Sequence, residues 1–138
     1  MTKKIVIVDD SKVGPLLEEM LKKEKGHQTV RYTHGRDAIS SIGESSCFDL
    51  AVVDVGLPDM SGERVIEYLV EKYPTRTVIC ITSYRGHQSP SASRTIHKGS
   101  ASRIRQLVDI LEESCREHNY SGSIKQYAYC NPLLRDDP

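Results

Sequence analysis

The sequence predicts an α/β fold built on a parallel β-sheet, and two observations support this. Short apolar runs rich in Val and Ile occur at Ile5–Val8, Leu50–Val53 and Val78–Ile81. Continuous runs of this kind are typical of strands that are buried on both faces of a parallel sheet. Segments with helical spacing of apolar residues alternate with these runs, which is the pattern of a strand–helix–strand fold. A chain of 138 residues fits one such domain with an adequate core.

The first half of the chain contains two predicted helices and a second predicted strand. We expect the first helix to cover Pro15 to Lys23, because proline is tolerated in a first helical turn but not in a helix interior. A strand at Gln28–Tyr32 then leads into a short helix at Asp37–Ile42, which Gly43 ends. The apolar residues expected on the inner face of the first helix are Val13, Leu16, Leu17, Met20 and Leu21.

The second half contains two clearer helices. Ser61 is a suitable N-cap for the third helix, and Pro74 stops it. The last helix is expected from Ser102 to about His118. The inward residues of the third helix are expected to be Val65, Ile66, Leu69, Val70 and Tyr73, and those of the last helix Ile104, Leu107, Val108, Leu111 and Cys115.

The segment between the fourth and fifth strands is short and polar. If the fifth strand is Arg94–His97, the ten residues Tyr84–Ser93 remain for the connection. They include a glycine, a proline and three serines, and they show no apolar periodicity. Parallel strands usually need a crossover of roughly 10–12 residues, so we expect an irregular loop in place of a regular helix.

Composition excludes several function classes. The 19 basic and 19 acidic residues give a net charge of zero, so no nucleic-acid surface is indicated. The apolar runs are far shorter than a membrane span, and the N-terminus lacks signal-peptide form. These properties predict a cytoplasmic domain without nucleic-acid or membrane partners. The four cysteines are scattered, with buried free thiols expected at Cys80 and Cys115, and the five histidines are expected at the surface.

Acidic residues follow two of the predicted strands. Asp9 and Asp10 come directly after the first apolar run, and Asp54 follows Leu50–Val53. Because ligands of such sheets bind at the carboxyl ends of the strands, we expect the three acids to lie close together. They would repel each other unless a cation neutralised them, and their oxygens are hard ligands that suit Mg²⁺.

A hydroxyl and a lysine follow the last two strands. Thr82 ends the run Val78–Ile81, and Lys98 follows the short fifth strand. A phosphoryl-transfer site needs the groups found at these neighbouring strand ends: the acids, the hydroxyl and the lysine. The carboxylates can hold the metal, and the lysine is a compact point charge for phosphate. The sequence therefore predicts such a site.

These segments resemble the receiver domain of two-component response regulators (CheY-like). The matching stretches are IVIVDDS (5–11), DLAVVDVGLPDMSG (49–62), VICITS (78–83) and HK (97–98). The resemblance implies a flavodoxin-like, doubly wound sheet of five parallel strands in the order 2-1-3-4-5. It also implies a receiver domain over residues 1–118, which leaves residues 119–138 as a C-terminal tail or linker.

The resemblance also implies a role for each site residue. Asp54 would be the phosphoacceptor, and Mg²⁺ would be bound by Asp9, Asp10, Asp54 and the backbone carbonyl of Gly56. Thr82 would turn its hydroxyl toward the phosphoryl group, and Lys98 would contact it. The implied partners are a sensor histidine kinase or a histidine phosphotransfer protein, together with a downstream protein. The only reactions catalysed would be the domain's own phosphorylation and dephosphorylation.

The chain departs from the family near its fifth strand. Most receivers have an aromatic residue where this chain has Thr95 and a proline where it has Gly99. With the fourth helix expected to be short, irregular or missing, we predict that this protein does not form the common dimer built on that helix and the fifth strand.

Three alternative functions are compatible with parts of this sequence. A receiver-like adaptor or scaffold that takes no phosphate is the main rival, supported by the departures after Thr82. An FMN-binding flavodoxin shares the strand order but would need a phosphate-binding loop where Asp9 and Asp10 stand. A haloacid-type phosphatase would need an Asp-x-Asp motif after the first strand, which this chain lacks.

Overall fold

A computed structural model describes residues 2–45, 48–99 and 103–117 of the chain. Within these ranges five strands and four helices are formed, and all strand pairs are parallel. The sheet order is β2-β1-β3-β4-β5, which confirms the predicted fold. The elements in chain order are β1 (Lys4–Val8), α1 (Val13–Lys23), β2 (Gln28–Tyr32), α2 (Gly35–Ser45), β3 (Leu50–Asp54), α3 (Gly62–Lys72), β4 (Thr77–Thr82), β5 (Arg94–His97) and α4 (Ile104–Glu117).

The sheet separates two apolar cores. Successive strand residues point to opposite faces, so Ile5 and Ile7 pack on one side with α1 and α4, while Val6 and Val8 pack on the other with α2 and α3. Both faces of β1, β3 and β4 are therefore covered, which explains why their sequences are apolar without alternation. Among the described residues, no helix is long and apolar enough to cross a membrane.

The strand register brings the functional ends of the strands to one edge. Val8 of β1 is paired with Val53 of β3. The next residue after each of them is an acid, Asp9 after Val8 and Asp54 after Val53. Asp54 is in turn paired with Ile81 of β4, next to Thr82. Hydrogen bonds along the ladder thus fix these side chains at the same level of the sheet.

The first helix differs from the prediction. It begins at Val13, two residues before Pro15, which lies in the first turn where its missing N–H removes no helical hydrogen bond. Of the side chains predicted to face inward, Val13, Leu17 and Leu21 are buried and Met20 is half-buried. Leu16 is 38% exposed, so its prediction was wrong.

The second helix is longer than predicted. It runs from Gly35 to Ser45 rather than over Asp37–Ile42, and Gly43 does not end it. Its start is stabilised from a distant part of the chain, because Asp59 accepts hydrogen bonds from the backbone N–H groups of Gly35 and Arg36, at 2.8 and 3.0 Å. A carboxylate at this place satisfies free amide donors and interacts favourably with the helix dipole.

The third helix begins as expected. Ser61 is the N-cap and its hydroxyl accepts a hydrogen bond from the Glu63 amide at 3.2 Å. The helix ends at Lys72, before Pro74. Of its predicted inward residues, Val70 is only half-buried and the other four are buried: Val65, Ile66, Leu69 and Tyr73.

Residues 83–93, all of them described, contain bends and turns and no helix. The expectation that an irregular loop connects β4 and β5 is thereby confirmed. The next helix along the chain, α4, comes after β5. Ser102, His118 and the tail at 119–138 lie outside the described residues, so the domain boundary at 118 stays a prediction.

His27 was expected at the surface, and the structure buries it. Its ring Nδ1 accepts a hydrogen bond from the Lys3 amide at 3.0 Å, so the ring hydrogen is carried by Nε2 and directed at Glu112 Oε2, 2.6 Å away. These two bonds tie the residue before β1 to α4, at the end of the sheet opposite to Asp54. The two cysteines expected to be buried, Cys80 and Cys115, are buried free thiols.

Candidate functional site

The three acids predicted to meet at the sheet edge do so. Carboxylate oxygens of Asp9, Asp10 and Asp54 all lie within 4.8 Å of one another. Asp9 and Asp54 are buried, whereas Asp10 is exposed. Two ionised carboxylates removed from water at this separation repel each other strongly, so the site requires positive charge.

Lys98 supplies part of that charge. Its Nζ lies 2.7 Å from Asp54 Oδ2 and 3.2 Å from Asp9 Oδ2. The lysine is positioned by the ladder of β5, because its backbone N–H donates to the Thr82 carbonyl at 2.9 Å. The buried ammonium therefore bridges the ends of β1 and β3.

The remaining charge suits a divalent cation. Three carboxylates and one ammonium leave these four groups with a net charge of −2. The donor set consists of oxygens, and Asp10 opens the cluster to solvent, so waters can complete a coordination sphere. Mg²⁺ prefers oxygen ligands, one or two carboxylates and several retained waters. The residues present fit that ion.

Burial and charge act on the site in opposite directions. Burial raises the pKa of Asp54 above its ordinary value, and the hydrogen bond from Lys98 offsets only part of this effect. For Lys98, burial acts to lower the pKa, but the hydrogen bond to Asp54 and the charges of both acids outweigh it, so the pKa is raised. The lysine is therefore a permanent cation at neutral pH.

Ser11 is a site residue that the sequence reasoning missed. Its amide and hydroxyl both donate to Asp9 Oδ1, at 2.5 and 2.6 Å, while its oxygen accepts from Lys98 Nζ at 3.0 Å. The same oxygen accepts the Val13 amide at the start of α1. Ser11 thus orients both Asp9 and Lys98, and its place directly after the two acids was the available signal.

Two glycines shape the loop that follows Asp54. The Gly56 amide donates to Asp54 Oδ1 at 3.1 Å, and Gly56 forms an isolated antiparallel bridge with Ser61. A Cβ on Gly62 would lie 1.9 Å from the Asp54 carbonyl oxygen, so no side chain fits there. The proposed metal contact of the Gly56 carbonyl stays a prediction, since the contact seen is made by its amide.

Thr82 lies at the same edge, at the end of β4. It is buried, and its Oγ1 accepts a hydrogen bond from the Tyr84 amide at 3.0 Å. A hydroxyl that accepts this bond still has its own hydrogen to donate. Tyr84, which the sequence did not single out, is 61% exposed and its hydroxyl lies beside Gly56.

Comparison with known proteins gives a consistent result. The family model described as the response regulator receiver domain matches residues 5–109. The polar-differentiation response regulator DivK of Brucella ovis is 31% identical over 108 residues, which cover 77% of this chain and 78% of DivK. A shorter match, 29% identical over 79 residues, is found with the DNA-binding transcriptional regulator NtrC of Proteus hauseri and covers 57% of this chain and 16% of that protein.

Solved structures show the same fold. A CheY-like receiver domain protein from Methanospirillum hungatei superposes with a TM-score of 0.74 at 24% identity, covering 88% of this chain and all of that chain. The response regulator TrrA of Thermotoga maritima, solved in complex with Mg²⁺-BeF, has a TM-score of 0.66 at 24% identity, covering 85% of this chain and 99% of TrrA.

Proposed function

This chain belongs to the response regulator receiver domain family, and we propose that it is a response regulator phosphorylated on Asp54. The phosphoryl group would come from a sensor histidine kinase or a histidine phosphotransfer protein, and it would switch binding to a downstream protein in the cytoplasm. The observation that supports this is the buried Asp54, joined by Lys98 to Asp9 and lying within 4.8 Å of Asp9 and Asp10.

Asp54 is the nucleophile in the proposed reaction. A carboxylate oxygen attacks the phosphorus of the donor phosphohistidine, the new O–P bond forms as the P–N bond breaks, and the electron pair returns to the donor imidazole. The Gly56 amide holds Oδ1 and Lys98 holds Oδ2, so both oxygens are oriented before the donor arrives. Water later hydrolyses the acyl phosphate and restores the carboxylate.

The surrounding residues stabilise the added charge. Lys98 can exchange its hydrogen bond to Asp54 for one to the incoming phosphoryl oxygens. Its hydrogen bonds to Asp9 and Ser11 would be retained during this exchange. Thr82 can donate its hydroxyl hydrogen to the same group, and rotation of its side chain toward that group would weaken the bond that its Oγ1 accepts from the Tyr84 amide. The start of the β4–β5 connection would shift with it, and a shift of this kind is how a local charge change biases a two-state segment.

Mg²⁺ is the proposed cofactor. Asp9, Asp10, Asp54 and the Gly56 carbonyl would hold it, and the bound ion would offset the negative charge that develops on the transferring oxygens. The oxygen donors support this assignment, and so does the net charge of −2 that the three carboxylates keep after Lys98 is counted. TrrA, which shares the fold, was solved with Mg²⁺-BeF.

A second function is a receiver-like adaptor that takes no phosphate. It is favoured by the absence of a helix in the described connection between β4 and β5. It is also favoured by Thr95 of β5, which replaces the usual aromatic residue and accepts a hydrogen bond from the Ser89 amide. Such an adaptor would present a static surface for a partner.

The test is intact-mass spectrometry after incubation with a small phosphodonor and Mg²⁺. We expect a single phosphoryl adduct in the wild type and in Asp37→Asn, an exposed carboxylate on α2, and none in Asp54→Asn. Binding of Mg²⁺ without any adduct would select the adaptor. An adduct that survives in Asp54→Asn would overturn the assignment of the phosphoacceptor.

A further inference from the structure

A second cluster of ligating side chains lies away from Asp54, where α3, β4 and the β4–β5 connection meet. It consists of Glu63 in the first turn of α3, Cys80 in the middle of β4 and His87 in the connection. One carboxylate oxygen, the sulfur and one ring nitrogen all lie within 4.8 Å of one another. We propose that these three residues bind one Zn²⁺ ion, which fastens the helix-free connection to the domain.

The donor atoms favour zinc over the ion of the phosphorylation site. Thiolate, imidazole and carboxylate together form a typical zinc ligand set, whereas Mg²⁺ selects oxygens alone. Three protein ligands leave a fourth tetrahedral position for water. The spacing of 63, 80 and 87 in the sequence resembles no zinc motif, so only the fold reveals the cluster.

The pair formed by His87 and Glu63 already has nearly the required separation. His87 Nε2 and Glu63 Oε1 are 3.0 Å apart and share a hydrogen. Zinc lies about 2.0–2.2 Å from nitrogen and oxygen ligands, which places tetrahedral neighbours roughly 3.3 Å apart. The pair would therefore open by only a few tenths of an ångström, with the ion in the place of the shared hydrogen.

Cys80 contributes a sulfur whose hydrogen-bond contact to the backbone of the described residues is weak. Its Sγ lies 3.9 Å from the Ile81 carbonyl oxygen, a weak contact, and the side chain is fully buried on the face that carries α3. Burial, and then the charge of Glu63, raise the pKa of this thiol to about 11. Zinc binding would release the thiol proton and form the Zn–S bond, so zinc affinity would rise with pH.

Neighbouring hydroxyl groups hold the ligands in place. The Ser89 hydroxyl donates to the second oxygen of Glu63, Oε2, at 2.9 Å, and the Ser89 amide donates to Thr95 Oγ1 at 2.9 Å. Thr95 is paired with Cys80 across the β4–β5 ladder, and its hydroxyl is placed to donate to the thiolate. Outer contacts of this kind orient metal ligands and strengthen their binding.

The proposed ion would act on the part of the domain that lacks a helix. Two side chains of the connection, those of His87 and Ser89, form hydrogen bonds to Glu63 of α3. Cys80 lies two residues before Thr82 on β4. Zinc would thus anchor the segment that begins beside the phosphorylation site, and it would do so whether or not Asp54 takes phosphate.

The test uses the full chain and Co²⁺ as a spectroscopic probe for zinc. We expect one equivalent of Co²⁺ to produce a thiolate-to-cobalt charge-transfer band that Zn²⁺ abolishes. Cys80→Ala should lose the band, and His87→Gln should bind Co²⁺ at least about 100-fold more weakly, because even the loss of an outer contact costs about 10–100-fold. The control variants Cys115→Ala and His97→Gln should keep the band.

Two results would overturn the zinc site. One is a wild type without the band. The other is a band that persists in Cys80→Ala with unchanged affinity in His87→Gln, which would place the metal on Cys47 or Cys130. His87 is half-buried in a loop, so the His87→Gln variant reports on metal binding even if the Cys80→Ala variant unfolds. Circular dichroism of each variant identifies that case.

Discussion

Lys98 Nζ lies 2.7 Å from Asp54 Oδ2, although 44 residues separate the two in the chain. Asp54 is the last residue of β3 and Lys98 comes directly after β5, so both lie at the carboxyl end of the sheet. Both are buried. The contact makes Lys98 an internal counter-ion for the proposed phosphoacceptor. It also means that stability and function depend on the same pair.

Replacing Lys98 by methionine should destabilise the protein strongly in Mg²⁺-free buffer. Asp9 and Asp54 would stay buried without their ammonium partner, and breaking a buried pair in this way costs about 3–5 kcal/mol. Urea unfolding measures the loss, and added Mg²⁺ should restore part of it. The matched control Lys23→Met, in an exposed pair with Glu19, should change stability by less than about 1 kcal/mol. Equal effects of both substitutions would contradict the prediction.

Gly62→Ala should prevent the tight turn between β3 and α3. The new Cβ would meet the Asp54 carbonyl oxygen at 1.9 Å, and this neighbour is backbone that cannot move alone. We expect a loss of about 3 kcal/mol or more in the free energy of unfolding, at the upper end of overpacking effects. Gly56→Ala is the control, since its Cβ would make only ordinary contacts with Tyr84 at 3.6 and 3.8 Å. Thermal unfolding distinguishes the two, and a native-like Gly62→Ala would refute the argument.

Asp54→Asn should stabilise the metal-free protein increasingly as the pH rises. Burial raises the pKa of Asp54 in the folded state, so the native protein holds this proton more tightly than the unfolded chain. The stabilisation from that proton is complete below the ordinary aspartate pKa of about 3.9 and is lost as pH rises through the raised native value. Urea unfolding of both proteins between pH 4 and 7 measures the difference. A difference that shrinks with rising pH would oppose the prediction, and Mg²⁺ should reduce it.

Asp59→Ala should shorten α2 and lower the melting temperature. The backbone hydrogen bond from Arg36, and that from Gly35, lower the pKa of Asp59 more than burial raises it. A depressed pKa gives stabilisation that is present above the unfolded value and disappears as pH falls through the native value. The gap in melting temperature between wild type and Asp59→Ala should thus close below about pH 4. Asp109→Ala, an exposed acid on α4, serves as the control. A gap independent of pH would exclude the capping role.

Phosphorylation should not produce the common dimer of the family. The surface for it would need a helix between β4 and β5, and residues 83–93 contain none. We expect the same mass in multi-angle light scattering before and after treatment with phosphodonor and Mg²⁺. If a phosphorylation-dependent dimer forms and persists after substitution of Tyr84 or Arg85, it uses another interface. If those substitutions abolish the dimer, the connection forms its interface and the prediction is contradicted.

Local sequence patterns were sufficient for most of the fold. The apolar runs before Asp9, Asp54 and Thr82 identified buried parallel strands, because a strand covered on both faces needs apolar residues at every position. Once the strands are parallel, their carboxyl ends must meet, and the acids, the threonine and the lysine gather without any further information. The same local signals located Ser61 as a cap and the absence of a helix at 84–93.

The tertiary structure alone decided what depends on side chains from distant segments. Asp59 starts α2 two residues earlier than local propensity suggested, and His27 is buried by its bonds to Lys3 and Glu112. The meeting of Glu63, Cys80 and His87 likewise follows from register and packing, not from spacing. Local periodicity reports which face of an element is apolar. It carries no information on which polar groups of two separate elements will come within hydrogen-bond distance, because that is set by how the elements pack.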